Sequence, residues 1–317
     1  MKSERFTLWE EGEYSYPLAC GFVPNIVSYL HEDDEIHPAM IVVPGGGYMF
    51  VSPSEGEIIA EKFFGYGYNA FVVTYTVNIL GTCPLKDQAS KDLSRAIRFV
   101  RAHAEQFSID PAKVAICGFS AGGHLSASLA VHHMDLPDAN PAYQNISNRP
   151  DAAILSYPVI TSGEKAHRGS FDALLGKDGT EEELHYASLE TQVTDETSPC
   201  FLWHTATDEL VPVENSFLFE AALREHGIPH ALHVFSNGHH GLSLANEKWA
   251  SHDYDGSYTM EQMQNVMAAV KEGKIEVPEE FKQMMEYFEH AEMPPETPMP
   301  EVQTWPELAR DWLAVVM

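Results

Sequence analysis

Positive charge is scarce in this sequence: 19 lysines and arginines stand against 47 aspartates and glutamates, a net charge of −28 over 317 residues. An acidic excess of that size repels phosphate backbones and anionic lipid, which argues against nucleic acid and membrane surfaces as partners. Its ordinary consequence is solubility, and no cationic ligand is needed to explain it. Cysteine is sparse too. Cys20, Cys83, Cys117 and Cys200 lie far apart with no CxxC pair among them, so neither a redox dithiol nor a thiolate metal site is expected. Cys117 and Cys200 fall in apolar, strand-like runs, where a buried reduced thiol is the ordinary state. No stretch reaches the ~20 apolar residues of a membrane helix. The first residues, Met1 to Glu11, turn acidic at once without an apolar core region, so no signal peptide is expected there. These absences point to a soluble chain in the reducing cytoplasm.

What is present is enough for a large core: 44% hydrophobic and 11% aromatic residues. Short β-like runs occupy residues 26–30, 39–43, 71–75, 114–117, 152–155, 201–204 and 231–235. Several are apolar throughout instead of alternating, which suits parallel strands covered on both faces. Helical periodicity fills the intervals. Ala89, Leu93, Ala96, Ile97 and Val100 recur at three- and four-residue steps, as do Val213, Phe217 and Ala221 farther on. Strand–helix alternation of this kind predicts a doubly wound α/β fold, a mostly parallel central sheet with helices on both faces.

The alternation breaks after residue 248. Residues 249–304 carry a helix-like run over 260–270, a second around 279–290, and the prolines Pro294, Pro295, Pro298 and Pro300. A final amphipathic helix begins near Trp305-Pro306, with proline in its first turn. Neither helix-like piece is apolar enough for a core of its own. Residues 1–317 are therefore expected to form one domain, with 249–304 inserted before the last helix. The methionines of that insertion (Met260, Met263, Met267, Met284 and Met285) suit a lid, a contact between copies of the chain, or helices packed on the outside.

The chemistry is concentrated at Gly118-Phe119-Ser120-Ala121-Gly122, which follows the run Val114-Ala115-Ile116-Cys117 and opens a helical pattern. A G-x-S-x-G spacing lets a strand turn sharply into a helix with serine at the strained apex. The glycines remove Cβ atoms that would collide there. The helix N-terminus then offers positive partial charge beside the serine. Ser120 is the candidate nucleophile.

Upstream, Pro44-Gly45-Gly46-Gly47-Tyr48 ends another strand-like run. Consecutive glycines allow backbone N–H groups to approach a reacting carbonyl closely. Gly46 and Gly47, with Ala121 after the serine, are the candidate oxyanion donors. No GK[ST] follows and no G-x-G-x-x-G spacing is present, which argues against phosphate or dinucleotide binding. A serine hydroxyl needs an imidazole to take its proton. Past the run at 201–204, Asp208 stands first in a turn and is favoured over Glu209 as the orienting acid. Past the run at 231–235, His240 precedes Gly241-Leu242 and is favoured over its neighbour His239 as the base. The order Ser, Asp, His along the chain fits this arrangement. His124 is expected to pack behind the turn at Ser120. His132, His133, His230 and His233 belong to helix ends or strands, so neither metal nor other cofactor is expected.

With these residues assembled, the chain resembles the acetyl-xylan-esterase-like, or carbohydrate-esterase-like, branch of the α/β-hydrolase superfamily, which is related to the hormone-sensitive-lipase-type esterases. The likeness rests on Pro44-Gly45-Gly46-Gly47-Tyr48, on Cys117 through Leu125, on Asp208 with Val211-Pro212-Val213-Glu214-Asn215-Ser216, and on His240-Gly241-Leu242-Ser243-Leu244-Ala245. Pro44 stands where related loops carry histidine, which leaves the backbone donors untouched. The resemblance covers roughly residues 25–248 and the last helix; the insertion departs from it. It implies hydrolysis of carbohydrate acetyl esters or other small acyl esters, so a small-molecule ester is the expected partner, and a homo-oligomer is left open. A serine peptidase or amidase shares the same three residues, and a non-catalytic ligand-binding relative would lack one of them.

Overall fold

The computed structural model describes residues 1–279, 282 and 295–317. The seven apolar runs become seven neighbouring strands of one eight-stranded sheet: β2 (Asn25–Tyr29), β3 (His37–Val43), β4 (Asn69–Thr74), β5 (Ile109–Phe119), β6 (Ala152–Ser156), β7 (Cys200–Thr205) and β8 (His230–Phe235). An edge strand β1 (Arg5–Thr7) completes it, in the order β1-β2-β4-β3-β5-β6-β7-β8. β2 runs antiparallel to both its neighbours, β1 and β4; from β4 to β8 every pairing is parallel. Three-residue β1 escapes a reading based on apolar runs, because an edge strand with one exposed face carries little hydrophobic signal.

Side-chain alternation divides the core in two. Ile41, Val43, Val73, Ile116, Leu155 and Leu202 face α2 (Gln88–Ala102), α3 (Ser120–His132) and α6 (Glu214–Glu225). Their strand neighbours Met40, Val42, Val72, Cys117, Ile154 and Trp203 face α1 (Glu57–Phe64) and α9 (Trp305–Val316) on the other side. A strand covered on both faces must be apolar at successive positions, which is why these runs lack alternation. Each fully buried aliphatic side chain of this kind contributes about 1.5–3 kcal/mol. Shorter helices α4 (Arg168–Leu175), α5 (Glu181–Tyr186) and α7 (Glu247–Ala250) lie in the connections.

The first helical piece of the 249–304 segment is α8 (Glu261–Lys271). It is anchored to the domain. Buried Gln262 donates to the carbonyls of Leu18 and Val77 and accepts from the Val77 amide, while Val266 enters the core on the α2 side. The second expected helix, around 279–290 and with Met284 and Met285, lies outside the described residues, except for Glu279 and Lys282. Among the described residues no helix is long and apolar enough to cross a membrane.

Candidate active site

The turn from β5 into α3 is as tight as its glycines require. Ser120 has φ +53, in the left-handed region that non-glycine residues rarely occupy. A Cβ on Gly118 would lie 2.2 Å from the Gly122 carbonyl oxygen, and one on Gly122 would lie 2.2 Å from that of Val43. Neither contact is tolerable. The strained serine is thus held at the C-terminal edge of the sheet, where a parallel α/β fold opens its crevice.

Asp208 and His240 come to it from the ends of β7 and β8. His240 Nε2 lies 2.7 Å from Ser120 Oγ, and His240 Nδ1 lies 2.7 Å from Asp208 Oδ2. An ionised carboxylate only accepts, so Nδ1 carries the proton and donates to Asp208. The lone pair of Nε2 is then left to accept from the Ser120 hydroxyl. Burial works against the charge on Asp208, yet hydrogen bonds from His204 and His240, the His240 field and the Val211 amide together hold its carboxyl well below the usual range. Asp208 does not cap α6. Its Oδ1 accepts from the amides of Leu210 and Val211, closing the turn that presents it. His239 points elsewhere: it is exposed, with Nδ1 against the His240 carbonyl and Nε2 3.5 Å from Glu296.

The glycine loop lies against Ser120, since a Cβ on Gly45 would come within 2.9 Å of the serine Cβ. Gly46 and Gly47 have φ +115 and +64, and a Cβ on Gly46 would strike the Phe50 carbonyl oxygen at 2.1 Å. The loop carbonyls of Gly45 and Gly46 accept from Ser52, Met49 and Phe50. Ala121 is in the first turn of α3, where an amide has no intrahelical acceptor. Tyr48 ties the end of the loop to α3 by donating to His124 Nδ1 at 2.8 Å, while His124 Nε2 donates to the Ala187 carbonyl. Burial lowers His124 to about 4, so it stays neutral and can serve both bonds.

Several residues around the site carried no motif. Glu55 is wholly buried; its carboxylate accepts from the Gly45 amide at 2.7 Å and from the Tyr157 hydroxyl at 2.6 Å. Burial raises its pKa, opposed by those two donors and by nearby His240. The Tyr157 ring meets the His240 ring edge-on with centroids 4.9 Å apart. Fully buried His204 approaches Asp208 Oδ2 at 3.4 Å, and half-buried His167 lies beside Gly47. Only His204, four residues before Asp208, had a signal in its spacing. The others come from loops remote in sequence. A cleft of about 950 Å³ opens beside His240, lined by Thr207, Glu209, Asn237, His239, Glu296 and Met299 among others. Among the described residues no group of three or more histidines, cysteines, aspartates or glutamates could hold a metal ion.

Residues 27–223 match the BD-FAE family. The chain is 50% identical over 270 residues to endo-1,4-beta-xylanase B of Butyrivibrio fibrisolvens, covering 85% of this chain and 42% of the relative. It is 32% identical over 214 residues to an acetylxylan esterase of Xylanibacter ruminicola, covering 65% of this chain and 41% of that protein. The chain thus spans less than half the length of these two relatives. Among solved structures, an acetyl ester-xyloside bifunctional hydrolase from Caldicellulosiruptor lactoaceticus superposes with a TM-score of 0.72 at 36% identity, covering 86% of this chain and 97% of that one.

Proposed function

The chain belongs to the BD-FAE family, with the α/β-hydrolase fold, and from that premise we propose that it is a serine carboxylesterase that removes small acyl groups, acetyl foremost, from carbohydrates. The observation that carries the reading is the relay of two 2.7 Å contacts from Ser120 through His240 to Asp208. As the Ser120 oxygen attacks the ester carbonyl, its proton passes to His240 Nε2, and Asp208 stabilises the imidazolium that forms. The amides of Gly46, Gly47 and Ala121 receive the oxyanion. Each such donor is typically worth ~3–4 kcal/mol of barrier. The imidazolium then protonates the departing alcohol, leaving an acyl-serine. A water molecule, deprotonated by His240, releases the acid and restores the hydroxyl.

The choice of bond follows from the chemistry of the site. A glycosidic bond calls for two carboxylates flanking it, whereas the group facing the glycine loop here is a serine hydroxyl. Likeness to the xylanase therefore does not make this serine a glycosidase centre; likeness to the acetylxylan esterase and to the acetyl ester-xyloside hydrolase supports the ester. The cleft beside His240 supports a carbohydrate alcohol, because Thr207, Asn237, Glu209 and Glu296 offer hydroxyl, amide and carboxylate partners for sugar hydroxyls. Four free thiols support a reducing cytoplasmic setting, where the substrates would be imported oligosaccharides. The anchoring of α8 supports one domain over residues 1–317, with 249–304 as an insertion.

The test is acetate release from p-nitrophenyl acetate and from acetylated xylo-oligosaccharides. Wild type should act on both, and Ser120→Ala should lose both activities and the fluorophosphonate labelling of the protein. Asn237→Ala should raise KM for the oligosaccharide alone. Wild-type rates in Ser120→Ala would sink the assignment of the nucleophile.

A further inference from the structure

We infer that Glu55 is a positioning residue that couples the glycine loop to the histidine loop, so that oxyanion donors and base are held in register about Ser120; its effect on turnover rests on the function proposed above. Three parts of the chain, distant in sequence, meet at this one carboxylate. Oε2 accepts from the Gly45 amide at the root of the glycine loop. Oε1 accepts from the hydroxyl of Tyr157, which directly follows β6. The Tyr157 oxygen in turn accepts from the Ser243 amide at 3.1 Å, three residues beyond His240. An unbroken series of hydrogen bonds therefore runs from Gly45 through Glu55 and Tyr157 to Ser243.

The Ser243 and Tyr157 end of the series is anchored further. Glu55 ends the short 3-10 turn Pro53–Glu55, which also takes the Ser243 hydroxyl on the Ser54 carbonyl at 2.6 Å. Ser243 and Tyr157 both have positive φ, and the Trp305 indole in α9 donates to the Ser243 carbonyl. Residues held in strained backbone conformations keep them only where the surroundings compel it. Both carboxylate oxygens meet donors, so an amide in place of the acid cannot satisfy both, since its nitrogen only donates. Burying a carboxylate without a cationic partner in contact is costly unless its oxygens are hydrogen-bonded. A hydrophobic side chain could have filled that space. The acid bridges the two loops instead.

The test uses Glu55→Gln, which keeps the volume, and Tyr157→Phe, which removes only the middle oxygen. Two readouts separate coupling from local packing: amide hydrogen exchange over residues 45–48 and 240–244, and steady-state kinetics on p-nitrophenyl acetate. Either variant should speed exchange in both segments, although Tyr157 makes no hydrogen bond to the glycine loop and Glu55 makes none to residues 240–244. Misplacement of reacting groups by a fraction of an ångström should lower kcat about 30-fold while KM moves less than about threefold. Exchange rising only where the bond was cut, or kcat within about threefold of wild type, overturns the inference. If Glu55→Gln does not fold, Tyr157→Phe carries both readouts. If wild type neither hydrolyses the ester nor takes a fluorophosphonate label, the proposed function fails, and the exchange data alone decide whether Glu55 couples the loops.

Discussion

The two oxygens of Asp208 have separate tasks, one facing the His240 imidazole and the other pinning the turn through the Leu210 and Val211 amides. This makes Asp208 a residue whose loss should be read in stability as well as in rate. Burial opposes its ionisation, but His204, His240 and the Val211 amide hold its carboxyl below the usual range. In the unfolded chain the same group titrates near about 4. A folded pKa below the unfolded one stabilises the native state above that pH, and the contribution is lost as pH falls through about 4 toward the folded value. Urea midpoints should therefore drop more steeply from pH 5 to pH 3 in wild type than in Asp208→Asn; parallel curves would refute the linkage. In the same variant kcat should fall on the order of 10⁴-fold, because an amide no longer holds the imidazole in the tautomer that accepts from serine.

At the scale of elements, the turn between β5 and α3 is the least tolerant feature of the fold. Gly122 packs its α-carbon against the end of β3, where an added methyl would sit 2.2 Å from the Val43 oxygen and 2.3 Å from the Pro44 oxygen. Both obstacles are backbone, so a side-chain rotation cannot relieve them. Gly122→Ala should destabilise the protein by about 3 kcal/mol, and the glycine loop that Pro44 leads into should move with it. A thermal midpoint equal to that of wild type would show that the strand ends are not in the contact described. The interior strands were legible in the sequence, because a strand buried on both faces must be apolar along its length, and half-buried edge strand β8 was legible from its run Ala231–Phe235. Edge strand β1 and the turn carrying Glu55 were not, since neither leaves a periodic pattern.

For the whole molecule, the charge of −28 acts at long range, beyond the contacts of the site. At low ionic strength the field extends about 30 Å, and near 0.1 M salt about 10 Å. An anionic ester such as acetylsalicylate should therefore bind more weakly in dilute buffer, its KM falling several-fold as salt rises to about 0.2 M. The neutral p-nitrophenyl acetate should show no such trend. Equal salt responses for the two substrates would mean that the acidic surface does not reach the cleft. Glu209 and Glu296, beside His240, add to this field at the cleft, where an anionic substrate would meet like charge.

Ser120, Gly118 and Gly122 could be read from the sequence because a strand-to-helix elbow is a local event, written within five residues by steric necessity. Asp208 and His240 were readable for a related reason: each stands just past the end of an apolar run, where parallel strands deliver side chains to a common edge. The sequence favoured His240 over His239, and the tertiary structure brings His240 to the serine, since neighbouring residues on a loop point in different directions and the Asp208 carboxylate and the Tyr157 ring together orient the imidazole. The tertiary structure alone revealed Glu55 and Tyr157 around the relay. Their positions depend on strands that lie side by side in space and far apart in sequence, and the hydrogen bonds joining them exist only once the sheet has formed.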